Sequence, residues 1–153
     1  MPPVVFNDIE ALKTAAGREL PTTDWLTVTQ DRINKFADTT EDRQWIHIDL
    51  ERARKESPYS ATIAHGFLTL SLLSHLVKQS VGVHGVRMAV NYGLNRVRFP
   101  SAVRAGSRIR AHVKLDSVKE LPDSVEATLG VLIEIEGGEK PGCVAEWLVR
   151  YYP

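Results

Sequence analysis

The chain has 153 residues, with 19 lysines and arginines balanced by 19 aspartates and glutamates, 43% apolar content and one cysteine. That length suits a single domain over residues 1–153, large enough for one core without covalent staples. The charge balance excludes attraction to nucleic acid or an anionic membrane through bulk electrostatics, and the lone Cys143 excludes an internal disulfide, as fits a cytoplasmic protein.

Met1-Pro-Pro-Val-Val-Phe has no basic start followed by an apolar run, so no signal peptide is expected. Asn7 is placed to cap a short helix through Thr14, closed near Gly17. Asp24 to Val28 reads as a first strand. Thr29 is a good N-cap with Asp31 in the first turn behind it, and Ile33, Phe36 and Ala37 fall on one helical face. From Thr39 to His47 that period breaks and a loop is expected. Asp49 is set to cap a polar helix that ends before Pro58. Between His65 and about Ser80, Phe67, Leu68, Leu70, Leu72, Leu73, Leu76 and Val77 cover most of a helical circumference. This predicts one long helix, buried on several sides and too short and too polar to span a bilayer.

The second half changes to a period of two. Ile109, Ala111, Val113 and Leu115 alternate with polar residues; Val125, Ala127, Leu129, Val131, Ile133 and Ile135 do the same, and so do Cys143, Ala145, Trp147, Val149 and Tyr151. Leu121-Pro-Asp-Ser and Glu136-Gly-Gly-Glu-Lys-Pro-Gly supply turns, and a less regular strand is expected from Val86 to Phe99 with a bulge at Gly93. One-sided alternation with short connections means an antiparallel sheet with one face on a core. The helix after Gly66 is the element apolar enough to fill that face. The expected fold class is therefore α+β, a curved antiparallel sheet wrapped around a buried central helix.

Two features point to chemistry. Asp42 stands five residues before His47, among turn-prone and aromatic residues. A carboxylate and an imidazole converging on one water suit proton transfer, because one accepts a proton while the other donates. The alternative is that Asp42 caps a turn and His47 packs. Gly66 opens the apolar helix, where free N–H groups can meet a developing negative charge, or where a tight junction simply needs glycine. His65 is expected to pack or cap at that junction, with lining the site as the alternative. His75, His84 and His112 lack ligand spacing, so no metal is expected. Cys143 lies in a strand pattern without a neighbouring base and reads as structural. The cluster Arg96, Arg98, Arg104, Arg108 and Arg110 is either a solvated strand face or a phosphate contact.

Phe36, Ala37, Thr40, Asp42, Ile46, His47, Asp49, His65, Gly66 and Ser74 together match the pattern of one family. The chain resembles the MaoC-like, (R)-specific enoyl-CoA hydratases, with Gln44-Trp45 standing where that family has Asn-Pro, as in its nodulation protein N-like subgroup. The resemblance implies a single hot-dog fold and reversible hydration of trans-2-enoyl-CoA to (3R)-hydroxyacyl-CoA. It implies that Asp42 and His47 activate water, that the Gly66 N–H binds the thioester oxygen, and that Ser74 hydrogen-bonds and orients the Asp42 carboxylate. It further implies an acyl-CoA substrate, no separate cofactor, since coenzyme A is part of the substrate, and a homodimer. Rival readings are a hot-dog acyl-CoA thioesterase, a 3-hydroxyacyl-carrier-protein dehydratase, and a non-catalytic acyl-thioester binder.

Overall fold

The computed structural model describes residues 1–153. Strand β1 (Val4–Phe6) leads to α1 (Ile9–Thr14), a two-residue β2 (Leu26–Thr27), α2 (Gln30–Thr40), a single turn α3 (Trp45–Ile48) and α4 (Leu50–Glu56). The central segment follows as α5 (Gly66–Ser71), α6 (Leu73–Leu76) and a 3-10 turn over Val77–Gln79. Then come β3 (Val81–Val83), β4 (Met88–Arg98), β5 (Arg108–Glu120), β6 (Val125–Ile135) and β7 (Cys143–Tyr152). A five-stranded sheet runs β2-β5-β6-β7-β4, antiparallel throughout, while β1 and β3 form a separate parallel pair.

The alternation in the second half is borne out except at Trp147 and Tyr151, which are only partly buried. Ile109, Ala111, Val113 and Leu115 on β5, Val125 to Ile133 at every second position on β6, and Cys143, Ala145 and Val149 on β7 are all buried. They close over Leu68, Leu72, Leu73, Leu76 and Val77 from the central segment. Each Leu-, Ile- or Val-sized side chain so buried contributes roughly 1.5–3 kcal/mol. The expected irregularity near Gly93 is a register shift between Asn91 and Gly93, and β4 carries a second shift between Leu94 and Val97.

Three local expectations change. The cap of α1 is Asp8, which accepts from the Ala11 N–H at 2.7 Å, rather than Asn7. Its extended backbone and its charge suit the first turn. The loop expected over residues 39–47 shrinks to Glu41–Gln44, since α2 runs to Thr40 and Trp45–Ile48 form a turn of helix. Backbone hydrogen bonding does not need an apolar face, so the period ends at Ala37 while the helix continues through exposed Asp38, Thr39 and Thr40. The central helix is interrupted at Leu72, where the Ser71 hydroxyl donates to the Phe67 carbonyl (2.7 Å) and the Ser74 hydroxyl to the Ser71 carbonyl (3.0 Å). Such back-bonding competes with the regular ladder. The segment is buried on several sides, through Leu68, Leu72, Leu73, Leu76 and Val77, while Phe67 is 72% exposed.

Strand β4 is the open edge of the sheet and buries almost nothing: Met88, Val90, Tyr92 and Leu94 are all exposed. No helix is long and apolar enough to cross a membrane.

Candidate active site

The site forms where α3 meets the chain entering α5. After α2, Glu41 turns in the left-handed region (φ 62°) and sends the chain back, leaving Asp42 exposed. The turn of α3 then carries His47 inward, to 6% exposure. Alongside runs the extended segment 62–65, fixed at both faces. The Ile63 N–H donates to the Ile46 carbonyl (3.0 Å), the Ala64 N–H to Val103 (2.7 Å), and the Ala105 N–H to Thr62 (2.9 Å).

One backbone carbonyl and one side chain pin His47. Its Nδ1 meets the Ile63 carbonyl oxygen at 2.7 Å. A carbonyl only accepts, so Nδ1 carries the hydrogen and the neutral ring leaves Nε2 as the basic nitrogen. Gln30 Nε2 donates to the His47 carbonyl at 2.8 Å while its Oε1 accepts from the buried Thr62 hydroxyl at 2.5 Å. Burial holds the His47 imidazole below the ordinary histidine value, and the bond to Ile63 opposes this in part.

The His65 ring lies against His47 with centroids 3.8 Å apart and planes 20° apart. A carboxylate oxygen of Asp42 and one ring nitrogen each from His47 and His65 all lie within 4.8 Å of one another. A single water making two hydrogen bonds of about 2.8 Å spans such a gap. The same trio fits a metal poorly, because rings stacked 3.8 Å apart and within 20° keep their in-plane lone pairs in two offset, nearly parallel planes rather than aiming them at one point.

Gly66 is the first residue of α5, and neither its N–H nor that of Phe67 has a partner within the chain. A Cβ at Gly66 would stand 3.1 Å from the Phe99 ring, so glycine here admits an aromatic neighbour. Gly66 faces a cavity of about 230 Å³ that Tyr59, Thr69, Phe99 and Ser101 also line.

Asp42 and His47 thus come together with His65, while Gly66, the next residue after His65, opens onto a cavity that neither Asp42 nor His47 lines. Ser74 does not join them. Its hydroxyl donates to Ser71 on its own helical segment, and it lines a second cavity of about 240 Å³ with Leu70, Asn91 and Trp147. Eight residues of helix, at about 1.5 Å each, carry it two turns away from the Gly66 end, so the expected bond from Ser74 to Asp42 is not made within the chain. Gln30 goes beyond the sequence reading and carries no local signal, since its partners lie 17 and 32 residues away. His65, expected to pack or cap at the junction with lining the site as the alternative, packs on His47 and stands beside Asp42. Cys143 is fully buried, and burial pushes its thiol up to about 11. Arg108 and Arg110 pair across strands with Glu136 and Glu134.

The profile of the MaoC-like domain family matches residues 11–135, a span that contains every residue of this site. The chain belongs to the MaoC-like family. Over 147 residues this MaoC-like chain is 50% identical to 3-hydroxyacyl-thioester dehydratase Z of Mycobacterium tuberculosis, covering 95% of the chain and 97% of that protein. It is 43% identical over 149 residues to nodulation protein N of Rhizobium meliloti, covering 95% and 89% respectively. Among solved structures, a monoamine oxidase regulatory protein from Archaeoglobus fulgidus superposes with a TM-score of 0.76 at 25% identity, over 100% of both chains. The (R)-hydratase from A. caviae involved in PHA biosynthesis superposes with a TM-score of 0.72 at 23% identity, over 90% of this chain and 96% of that one. The curled sheet over its central helical segment is the hot-dog fold.

Proposed function

We propose that this MaoC-like chain is a hydro-lyase that interconverts trans-2-enoyl and (3R)-3-hydroxyacyl thioesters. One observation carries the reading: a carboxylate oxygen of Asp42 and a ring nitrogen of His47 lie within one water's reach, with His47 anchored through Nδ1 on Ile63. In the hydration direction, water between the two groups loses a proton to His47 Nε2 as its oxygen bonds to C3. Asp42 accepts the second water hydrogen in a hydrogen bond and so aims the oxygen. The electrons of the C2–C3 double bond move towards the thioester oxygen, where the free Gly66 N–H donates to the developing enolate. A single such donor is worth roughly 3–4 kcal/mol of barrier. The enolate collapses as the imidazolium returns its proton to C2 on the same face, giving the (3R)-hydroxy product and restoring the neutral base. Dehydration is the same path reversed.

The family and the 50% identical relative named as a 3-hydroxyacyl-thioester dehydratase support the reaction class. Coenzyme A enters as part of the substrate, and no separate cofactor is required. The exposed apolar edge strand β4 supports a homodimer.

The test is incubation with crotonyl-CoA, following loss of the conjugated enoyl absorbance and release of free thiol. Hydration without thiol release is expected, lowered by about 10²–10⁴-fold in Asp42→Asn and His47→Ala. Thiol release with conjugation retained overturns the reading in favour of a thioesterase. Unchanged turnover in both variants removes the pair from the mechanism.

A further inference from the structure

The Glu41–Gln44 loop that presents Asp42 is bound mostly to itself and its neighbours. The Gln44 N–H reaches Asp42 Oδ1 at a long 3.4 Å, Arg43 pairs with exposed Asp38, and the Gln44 carbonyl accepts from the His47 N–H at 3.0 Å. One hydrogen bond ties it to a distant part of the chain: His65 Nε2 lies 2.9 Å from the Asp42 carbonyl oxygen, across 23 residues of sequence. The same imidazole lies flat on His47 and against Phe36, whose ring centroid is 4.9 Å away.

The hydrogen bond fixes which nitrogen of His65 donates. A carbonyl oxygen accepts only, so Nε2 carries the hydrogen. Nδ1 is buried and has no hydrogen-bond partner, and the residue is 2% exposed. The ring therefore makes one hydrogen bond, and that donor is spent on the Asp42 backbone.

We infer that His65 is a positioning residue. It acts through its Nε2–H, which fixes the backbone of Asp42, and through its ring face, which sets the plane of His47. One side chain thereby holds both groups of the proton-transfer pair at their mutual distance. This rests on the hydro-lyase reading above for its kinetic consequence, and on geometry alone for its structural one.

Two amides separate the donor from mere bulk. Glutamine places its Nε2 where histidine has Nε2, whereas asparagine places its amide nitrogen near the Nδ1 position, which holds no bond here. With crotonyl-CoA as probe, His65→Gln is expected to keep kcat within about threefold, and His65→Asn to lose about tenfold to a hundredfold in kcat with KM nearly unchanged. Backbone amide exchange over Glu41–Gln44 is expected to quicken in the Asn variant and not in the Gln variant. Where the Asn chain does not fold, His65→Phe, which keeps a ring and lacks the donor, takes its place with the same expectation. Equal kcat in the two variants, a loss confined to KM, or loop exchange unchanged by removing the donor overturns the inference. A wild-type chain that does not hydrate crotonyl-CoA instead refutes the proposed function, and loop exchange still decides the role of His65.

Discussion

His47 gives its Nδ1–H to the carbonyl oxygen of Ile63 at 2.7 Å, a contact that joins one turn of helix to the extended segment entering α5. The acceptor is a backbone atom, held from its own N–H side by Ile46 and flanked by the Ala64–Val103 bond. The tautomer of the base is therefore set by main-chain geometry, which substitutions nearby disturb less than they would a side-chain partner. What remains adjustable is the ring's charge, its backbone anchor and its neighbours.

The charge gives the first prediction. Burial lowers the His47 value below its ordinary 6.5, so protonation favours the unfolded chain. Stability contributed by the neutral ring is complete above about 6.5, and is lost as pH falls from there through the lower folded value. For catalysis, kcat/KM should be flat near neutrality and fall on the acid side with an apparent value below 6.5. A pH–rate profile settles this; an acid limb at or above 6.5 contradicts a buried imidazole base.

The anchor gives the second. Gln30 joins the His47 carbonyl to the Thr62 hydroxyl, which is only 3% exposed. Gln30→Ala leaves that hydroxyl and carbonyl without their partner and should cost about 1–3 kcal/mol. Gln30→Glu is the sharper variant, since a carboxylate can accept from Thr62 but cannot donate to His47. Urea unfolding of both, with kcat measured alongside, should show Glu retaining more stability than Ala while kcat falls in each. A Glu variant with wild-type kcat would mean that the Gln30–His47 bond does not position the base.

Much of this was legible in the sequence because it is written in periods and caps. The inward positions of β5, β6 and β7, the Thr29 and Asp49 caps and the placement of Gly66 at a helix start follow from neighbouring residues alone. The parallel pairing of Val4–Phe6 with Val81–Val83 does not, because three-residue strands carry too little pattern to read. Within the site, spacing alone left Asp42 and His47 open to a turn cap and a packing histidine, and the family resemblance of their flanks singled out the pair that the structure brings together. Gln30 and the stacking of His65 on His47 were not legible, since they depend on how distant segments meet. For Ser74 the family resemblance implied Asp42 as a partner, but an interrupted helix and local back-bonding direct its hydroxyl to Ser71.

The Gly66–Phe99 contact gives the third prediction. Gly66→Ala keeps the backbone N–H but sets a methyl 3.1 Å from a ring that is 43% exposed and able to swing outward. The stability loss should stay near the low end of the roughly 1–3 kcal/mol typical of overpacking. Phe99→Ala should abolish it, giving a coupling of about 0.5–3 kcal/mol in a double-mutant cycle. If the paired substitution restores stability without restoring turnover, the lost rate reports the approach of substrate to the Gly66 N–H. Additive stability losses would show that Phe99 is not what excludes a side chain at this position.

The edge strand gives the last. Strand β4 leaves its outer backbone groups unpaired and exposes Met88, Val90, Tyr92 and Leu94, a combination that invites pairing with another strand. In the proposed homodimer of this 17.1 kDa chain, β4 is expected to lie against its counterpart in the second copy. Lysine on an edge is an effective block to such pairing. Val90→Lys with Leu94→Lys should therefore shift sedimentation from dimer to monomer while each chain keeps its sheet, because both side chains are 38% exposed and contribute little to the core. Unchanged sedimentation in the double variant would place the interface on another face. Loss of far-ultraviolet circular dichroism together with dimerisation would show that the protomer depends on its partner to fold.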